Sequence, residues 1–312
     1  MTAQDAAARQ GGLAGWLSRW LCRLSARATR RLATLLGWLW FHLFPVRRRV
    51  ALDNLRRAFP ELRRRERRRL GAACFRHLAC CALEFLRMPR LLEGQAKGLF
   101  EVEGEENLKQ ARAAGRGIIA VTGHLGNFDL LACYAARRWF ELHVVSREQK
   151  VGWINRYWME SRRRWGVKIL PPRGSALTIH RLLRNGAVVA LLIDQHQPHG
   201  LVCEFFGRPA ACTTAPALLA YQTGALLLPV WSERLGPDKH RLHIAPAQEA
   251  DRSRPRSEEV EKLTRQLNLW LEDCIRKRPE QWLWLHRRWK VETDFSPPTE
   301  KTAAKKGYYF CS

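Results

Sequence analysis

His124 and Asp129 are the two residues of this chain whose types and spacing most clearly suggest chemistry. A histidine can accept a proton near neutral pH, because its unperturbed pKa lies at about 6.5. A carboxylate that reaches the other ring nitrogen fixes the tautomer and stabilises the imidazolium that forms. Such a pair could activate a hydroxyl group for attack on an ester or a thioester.

The spacing of five residues restricts how these two side chains could meet. Residues i and i+5 of a regular helix lie about 140° apart, so the pair cannot share one helix face. An apolar run at residues 118–121 precedes His124, and Asn127 stands at a plausible helix start. We therefore expect a strand, a turn that carries His124, and a helix with Asp129 in its first turns. The alternative is a purely structural turn, in which Asn127 caps the helix and Asp129 complements its dipole.

The chain is strongly basic. Its 312 residues include 54 Lys and Arg against 29 Asp and Glu, which gives a formal net charge of +25. Such a surface favours nucleic acid, anionic lipid head groups, phosphorylated substrates or an acidic carrier protein as partners. The 13 tryptophans, several of them beside arginine, are typical of the boundary between water and a bilayer. The aromatic and basic stretch at residues 282–290 could be a nucleic-acid stacking strip or an interfacial belt.

Cysteine and histidine usage disfavours disulfides and metal. The nine cysteines are scattered without a C-x-x-C pair, so we expect reduced thiols that pack as small apolar residues on the cytosolic side. His196 and His199 are separated by Gln-Pro and have no neighbouring cysteine, which disfavours a zinc site. The sequence therefore predicts no metal and no cofactor.

Four regions are expected along the chain. Residues 1–12 are small and polar and are predicted to be disordered, and residues 296–312 are predicted to be a flexible tail. Residues 13–49 form a helical segment that associates with a membrane. Its apolar stretch, residues 32–46, is shorter than the roughly 20 residues that a span needs, so it is either a short anchor or an interfacial helix. The arginines that follow favour a cytoplasmic position for the domain of residues 50–295.

Short apolar runs alternate with helical patterns in this domain, at residues 118–121, 142–145, 188–193 and 225–230. Such runs are typical of strands that are buried on both faces. We therefore predict an α/β fold with a mixed, mostly parallel sheet flanked by helices. Asp194 directly follows the third run, at the strand end where open α/β sheets bind ligands.

A second cluster of candidate residues begins at Asp194 and Gln195. An aromatic turn and two hydroxyls follow, and they could line an acyl-chain pocket: Phe206, Gly207, Arg208, Thr213 and Thr214. The alternatives are core packing for Phe206 and capping of the next helix by the threonines. Arg147 and Arg162 lie between the two clusters and could bind phosphate or stabilise an oxyanion.

Taken in order, four segments resemble the late acyltransferases of bacterial lipid A biosynthesis, the lauroyl and myristoyl transferases. Residues 54–62, Asn-Leu-Arg-Arg-Ala-Phe-Pro-Glu-Leu, are similar to the family's N-terminal helical motif. Gly-His-Leu-Gly-Asn-Phe-Asp at residues 123–129 is similar to its H-x-x-x-x-D/E motif. Two later blocks are also similar: Asp-Gln at 194–195 with the aromatic turn and threonines of 205–214, and Leu-His-Arg-Arg-Trp-Lys at 285–290.

This resemblance covers about residues 30–290 and implies a glycerolipid-acyltransferase-like fold. It implies that His124 is the general base and Asp129 its partner, with a functional arginine at Arg162 and a functional carboxylate at Asp194. The residues implied to bind substrate are Asn127, Arg147, Gln195, Phe206, Gly207, Arg208, Thr213 and Thr214.

The resemblance also implies the reaction and its partners. A fatty acyl chain would move from acyl carrier protein to a hydroxyl of a lipid A precursor, an anionic glycolipid, during lipopolysaccharide biosynthesis. The enzyme would belong to the inner membrane, with its catalytic domain on the cytoplasmic face and no nucleic acid as partner.

Two other interpretations stay open. The same chemistry could act on another lipid, such as a phosphatidylinositol mannoside or an ornithine lipid. A protein of a different class, a basic nucleic-acid- or membrane-binding module without catalysis, would show salt-dependent binding and would not depend on His124.

Overall fold

A seven-stranded sheet forms the centre of the computed structural model, which describes residues 12–93, 98–147 and 151–290. The strand order is β1-β9-β8-β2-β5-β3-β4, and every neighbouring pair is parallel except β8 and β9. A separate hairpin pairs β6 with β7. The strands are β1 (Phe100–Glu103), β2 (Ile118–Thr122), β3 (Leu142–Val145), β4 (Val167–Leu170), β5 (Val188–Leu192), β6 (Leu201–Phe205), β7 (Arg208–Cys212), β8 (Leu226–Gly236) and β9 (Lys239–Ile244).

The predicted α/β fold with a mostly parallel sheet is confirmed. All five residues of the central strand β2 are buried, as expected for a strand covered on both faces. The four predicted runs correspond to β2, β3, β5 and β8. The last of them is longer than expected, because β8 continues to Gly236 and turns back into the antiparallel β9.

Eleven helices accompany the sheet in the described part of the chain. They are α1 (Leu13–Arg23), α2 (Ala26–His42), α3 (Arg48–Ala58), α4 (Arg64–Leu86), α5 (Met88–Glu93), α6 (Glu105–Ala113), α7 (Phe128–Arg138), α8 (Gly152–Arg164), α9 (Ala176–Arg184), α10 (Ala215–Thr223) and α11 (Arg256–Lys277). One face of the sheet packs against α5–α8, and the other packs against α3, α9, α10 and α11. Helix α4 contributes to both cores through Phe75 and Phe85.

The two N-terminal helices pack on α4. Ser25 caps α2 by accepting a hydrogen bond from the backbone N–H of Ala28. Gly37 lets α2 approach closely, since a Cβ there would lie 2.5 Å from Cα of Arg76. Within the described residues, none of the helices is both long and apolar enough to cross a bilayer. The other side of α2 and the following loop expose large apolar side chains: Leu35, Leu36, Trp38, Leu43, Phe44 and Val46.

The C-terminal segment folds back over the sheet after a short 3₁₀ turn, Pro279–Gln281. Trp282, Trp284 and Trp289 are buried in the core. Arg288 is fully buried and donates hydrogen bonds to the carbonyl of Ala211 and to Sγ of Cys212. Residues 282–290 are therefore neither a nucleic-acid stacking strip nor an interfacial belt, because their tryptophans pack inward. The predicted disordered N-terminus and flexible tail lie outside the described residues, apart from Gly12.

Candidate active site

His124 and Asp194 meet at one edge of the sheet because their strands are neighbours. His124 lies in the loop after β2, and Asp194 lies two residues after the end of β5. Parallel neighbours bring their carboxyl ends to the same edge, where open α/β sheets bind ligands. Nδ1 of His124 lies 2.8 Å from Oδ1 of Asp194, and the backbone N–H of His124 donates to Oδ2 at 2.6 Å.

Asp194 is held as an ionised acceptor. Its burial alone would raise its pKa, but the positive charge of His124 and hydrogen bonds from His124 and Trp282 lower the pKa to about 2. Nε1 of Trp282 donates to Oδ2 at 2.8 Å. Because a carboxylate only accepts hydrogen bonds, Nδ1 of His124 carries a proton, and in the neutral form of the ring the lone pair therefore lies on Nε2. That nitrogen lies 3.4 Å from Nε2 of Gln195.

No hydrogen bond or ion pair joins Asp129 to His124, so the expected pairing of these two residues is wrong in this structure. Oδ1 of Asp129 accepts hydrogen bonds from Nε of Arg162 at 2.8 Å and from Nη2 at 2.5 Å. Nε1 of Trp158 lies 3.3 Å from the same oxygen. Asp129 is the second residue of α7, and its side chain points toward α8. The carboxylate that reaches His124 belongs instead to Asp194, which follows the neighbouring strand β5.

Arg162 is the member of the Arg162-Arg163-Arg164 run that faces the site. Its Nη1 donates to Oγ of Ser146 at 2.7 Å, and its guanidinium lies 5.0 Å from the ring centroid of Trp158. Arg163 is exposed, and Arg164 pairs with Glu93 instead. The Asp129–Arg162 ion pair thus joins α7 to α8 beside the histidine.

Gly126 fixes the shape of the loop that carries His124. Its φ of 65° lies in the left-handed region, and a Cβ there would come within 1.9 Å of the carbonyl oxygen of Ser232. The backbone N–H of Gly126 donates to the carbonyl of Gln281 at 3.0 Å. Nε2 of His77 lies 3.1 Å from the carbonyl oxygen of Gly126. The loop is therefore anchored to the 3₁₀ turn through Gln281 and to α4 through His77.

Asn127 and Glu84 tie this loop to a buried polar network. Oδ1 of Asn127 accepts from the backbone N–H of Leu130, so the alternative in which Asn127 caps the helix is confirmed. Its Nδ2 donates to Oε2 of Glu84 at 2.7 Å. Burial opposes ionisation of Glu84, but the adjacent Arg234 and His240 outweigh it and hold the pKa of this carboxyl well below its usual range. Both the oxygen and the nitrogen of the Asn127 side-chain amide are therefore hydrogen-bonded within the protein.

An apolar cavity of about 800 Å³ begins at this edge of the sheet and passes between the strands and helices α4, α7 and α8. Such a volume is within the range of pockets that hold small molecules. His124 and Gln195 are among its polar lining residues. The apolar lining includes Phe85, Ala120, Leu131, Val144, Tyr157 and Ala190.

The structure brings together only part of the predicted site. The predicted residues that line the cavity are His124, Asn127, Asp129, Arg147, Arg162, Gln195 and Thr213, and Asp194 lies directly behind His124. Phe206, Gly207, Arg208 and Thr214 are not among its lining residues. Phe206 and Gly207 both have positive φ and form the turn between β6 and β7, so this segment is a tight hairpin and not a pocket wall.

The alternatives for these residues describe the structure better. Phe206 is buried against Phe59 and Trp284, which is core packing. Arg208 donates to the backbone carbonyl of Arg57. Oγ1 of Thr213 accepts from the backbone N–H of Ala215 at the start of α10, whereas the side chain of Thr214 makes no capping bond.

Trp282, Trp158 and Glu84 are site residues that the sequence did not reveal. Each contributes a single polar group to an otherwise packed position, and none stands in a recognisable motif. Only a general argument points to such residues: a buried indole N–H or carboxylate needs a hydrogen-bond partner.

The chain matches the family model described as bacterial lipid A biosynthesis acyltransferase over residues 12–291, and it belongs to that family. The resemblance found in the sequence is thereby confirmed. It is 27% identical over 279 residues to the lipid A biosynthesis lauroyltransferase of Escherichia coli K12, covering 86% of this chain and 87% of that protein. It is also 27% identical over 283 residues to the lipid A biosynthesis palmitoleoyltransferase of the same organism, covering 81% and 88%.

A third relative acts on a different lipid according to its name. The chain is 28% identical over 198 residues to the phosphatidylinositol mannoside acyltransferase of Mycobacterium tuberculosis H37Rv. That match covers 61% of this chain and spans about 60% of the length of the mycobacterial protein.

Proposed function

We propose that this protein is a membrane-associated acyltransferase that moves a fatty acyl chain from acyl carrier protein to a hydroxyl of a lipid A precursor. One observation carries the proposal: His124, bonded to the ionised Asp194, stands at an apolar cavity large enough for an acyl chain. Membership of the lipid A acyltransferase family supports the reaction class.

In the proposed mechanism, Nε2 of His124 is the general base. It takes the proton of the acceptor hydroxyl while the oxygen attacks the thioester carbonyl. The tetrahedral intermediate collapses, the carbon–sulfur bond breaks, and the imidazolium returns the proton to the departing thiolate. The products are an ester of the acceptor and the free thiol of the carrier. Asp194 stays ionised throughout and stabilises the imidazolium.

We assign Arg162 the stabilisation of the negative charge that develops on the carbonyl oxygen. Its hydrogen bonds to Asp129 and Ser146 fix the guanidinium in the cavity wall. Asp129 therefore serves the reaction as a positioning residue for Arg162. This role replaces the one first expected for Asp129 as the partner of His124.

The acyl chain is proposed to occupy the cavity between the sheet and helices α4, α7 and α8. Its lining is chiefly aliphatic and aromatic, so transfer of an alkyl chain from water into it is favourable by about 0.8 kcal/mol for each buried methylene. Arg147 and Gln195, which also line it, are proposed to contact the polar ends of the substrates.

The N-terminal segment is proposed to bind the inner membrane at its surface, with the catalytic domain on the cytoplasmic face. Leu43, Phe44 and Val46 are each more than half exposed and are followed directly by Arg47-Arg48-Arg49. Apolar side chains flanked by arginines are suited to the interface between acyl chains and anionic head groups.

A second candidate acceptor is a phosphatidylinositol mannoside, favoured by the similarity to the mycobacterial acyltransferase. The same dyad and cavity would serve it, and only the acceptor would differ. A non-catalytic nucleic-acid-binding role is disfavoured, because it gives no reason for a histidine held by a buried carboxylate at a cavity.

The test is an assay of the purified protein with a pool of acyl carrier proteins that bear chains of different lengths. Each reaction contains a lipid A precursor or a phosphatidylinositol mannoside, and mass spectrometry measures the mass gained by the lipid. We expect the precursor to gain one acyl chain. Acylation of the mannoside alone would select the second candidate, and acylation of neither would contradict both.

A further inference from the structure

We propose that a basic basin beside His124 binds a phosphate group carried by the lipid acceptor. The basin has a volume of about 840 Å³ and is lined by Pro45, Arg47, Arg48, Arg49, Val50, His286, Arg287 and Lys290. This inference rests on the proposed function only for the identity of the lipid that bears the phosphate.

The charge of the basin is uncompensated. Five of its eight lining residues are Arg or Lys, and none is acidic. The carboxylate of α3, Asp53, is already bonded to Arg56 and Arg57. Within the described residues, no carboxylate forms an ion pair with any of the five cations; Arg48 donates instead to the backbone carbonyl of Phe41.

Such a cluster costs free energy through repulsion of like charges, and an anion would relieve it. A phosphate offers several strong acceptor oxygens to arginines, which bind it in a bidentate manner. The N-terminus of α3 begins at Arg48 within the basin and adds the positive end of a helix dipole. The chemistry of the lining is therefore that of a phosphate site.

The basin is adjacent to the catalytic cavity. The backbone N–H of Leu283 donates to the carbonyl of His124, and the chain continues through Leu285, which lines the cavity, to His286, which lines the basin. Nε2 of His286 accepts from the backbone N–H of His196, so this ring is fixed in the wall as an acceptor. A lipid whose hydroxyl reaches His124 can therefore place a phosphate in the basin.

The basin also lies at the level proposed for the membrane surface. Pro45 and Val50 line it, and the loop with the exposed Leu43, Phe44 and Val46 leads directly into it. This position favours a phosphate on a lipid head group over the acidic surface of a carrier protein.

The test uses the full chain with arginine and lysine replaced by glutamine at three exposed positions of the basin: Arg49→Gln, Arg287→Gln and Lys290→Gln. A control triple, Arg112→Gln, Arg181→Gln and Arg184→Gln, removes the same charge near the C-terminal ends of α6 and α9. Those ends lie at the opposite edge of the sheet, because each helix leads into the start of a strand.

Binding is measured to phosphatidylcholine vesicles that contain phosphatidic acid, which has a phosphate monoester, and to inorganic phosphate alone. We expect the basin triple to lose at least about tenfold in affinity for these vesicles, since each basic residue near an anionic surface contributes about 1 kcal/mol. The control triple should lose clearly less. If the basin triple also binds inorganic phosphate more weakly than the control triple does, free phosphate is a second ligand of the site. If only its binding to vesicles is weaker, the ligand is restricted to the phosphate of a lipid. Equal affinities of the two triples for both probes would overturn the site.

Kinetics separate this site from the proposed function. With a phosphorylated acceptor, the basin triple should raise the acceptor KM at least about tenfold and leave kcat and the KM for acyl carrier protein unchanged. A rise confined to the KM for the carrier protein would overturn the proposal in favour of a protein-docking surface. If the wild-type protein transfers no acyl chain, the proposed function fails, and the vesicle measurement still decides the phosphate site.

Discussion

Asp194 binds His124 through both of its carboxylate oxygens, one to the ring Nδ1 and one to the backbone N–H of the same residue. This double contact fixes both the position of the histidine and the direction of its ring. It also joins two neighbouring strands of the sheet at the edge where the cavity begins.

Asp194→Asn should lower kcat strongly with little change in fold. The amide can keep one hydrogen bond, but it carries no charge to stabilise the imidazolium and can favour the wrong tautomer, which typically costs on the order of 10³–10⁴ in rate. Steady-state acyl transfer measures the effect, with circular dichroism as the control for folding. Wild-type kcat in this variant would show that the carboxylate is not part of the mechanism.

Gly126→Ala should destabilise the protein far more than Gly207→Ala. Both glycines have φ near 65°, so both substitutions strain the backbone by about 1–2 kcal/mol. At Gly126 the new methyl also meets the carbonyl of Ser232, whereas at Gly207 no atom lies within 4 Å. We expect a loss of about 3 kcal/mol or more for Gly126→Ala in urea unfolding. Equal losses for the two variants would contradict the close contact between Gly126 and the backbone of Ser232.

His77 should make the protein less stable as the pH falls below 6.5. Burial, reinforced by the charge of Arg234, lowers the pKa of His77 from 6.5 to about 3. The unfolded chain therefore binds a proton that the folded protein does not, and stability that is complete above pH 6.5 decreases toward pH 3. Urea unfolding between pH 7 and pH 4.5 should show a smaller decrease for His77→Gln than for the wild type. Parallel curves would contradict a neutral, buried His77.

Ala135→Phe should shift transfer toward shorter acyl chains. Ala135 lies on α7 and lines the cavity, so a phenyl ring there would shorten the space available to an alkyl chain. Competition between acyl carrier proteins of different chain lengths, read by mass spectrometry, measures the preference. Ala113→Phe, at an exposed position of α6, is the control. An unchanged preference would mean that the chain binds elsewhere.

The sheet and the position of His124 at the candidate site could be predicted because their signals are local. Apolar runs mark β2 and β5, and a histidine after one such run stands at the ligand-binding edge. The partner of that histidine could not be read from spacing. Asp194 is 70 residues away from His124 and reaches it only through strand order, which local patterns do not specify.

The aromatic segments show a second limit of sequence patterns. The turn at Phe206 and the tryptophans of residues 282–290 have the composition of a binding surface, yet they pack together in the core. Composition describes which atoms are present, and burial depends on which helix or strand covers them. Sequence patterns also do not show that the Arg162 side chain points inward, because this direction follows from its ion pair with Asp129.

The central claim is that His124 is the base of an acyl transfer, and the most direct measurement compares the wild type with His124→Ala. Both proteins are incubated with acyl carrier protein and a lipid A precursor, and mass spectrometry records acylation while vesicle flotation records membrane binding. We expect acylation by the wild type, a loss of at least about 10³-fold in the variant, and equal membrane binding. Full acylation by His124→Ala would contradict the claim.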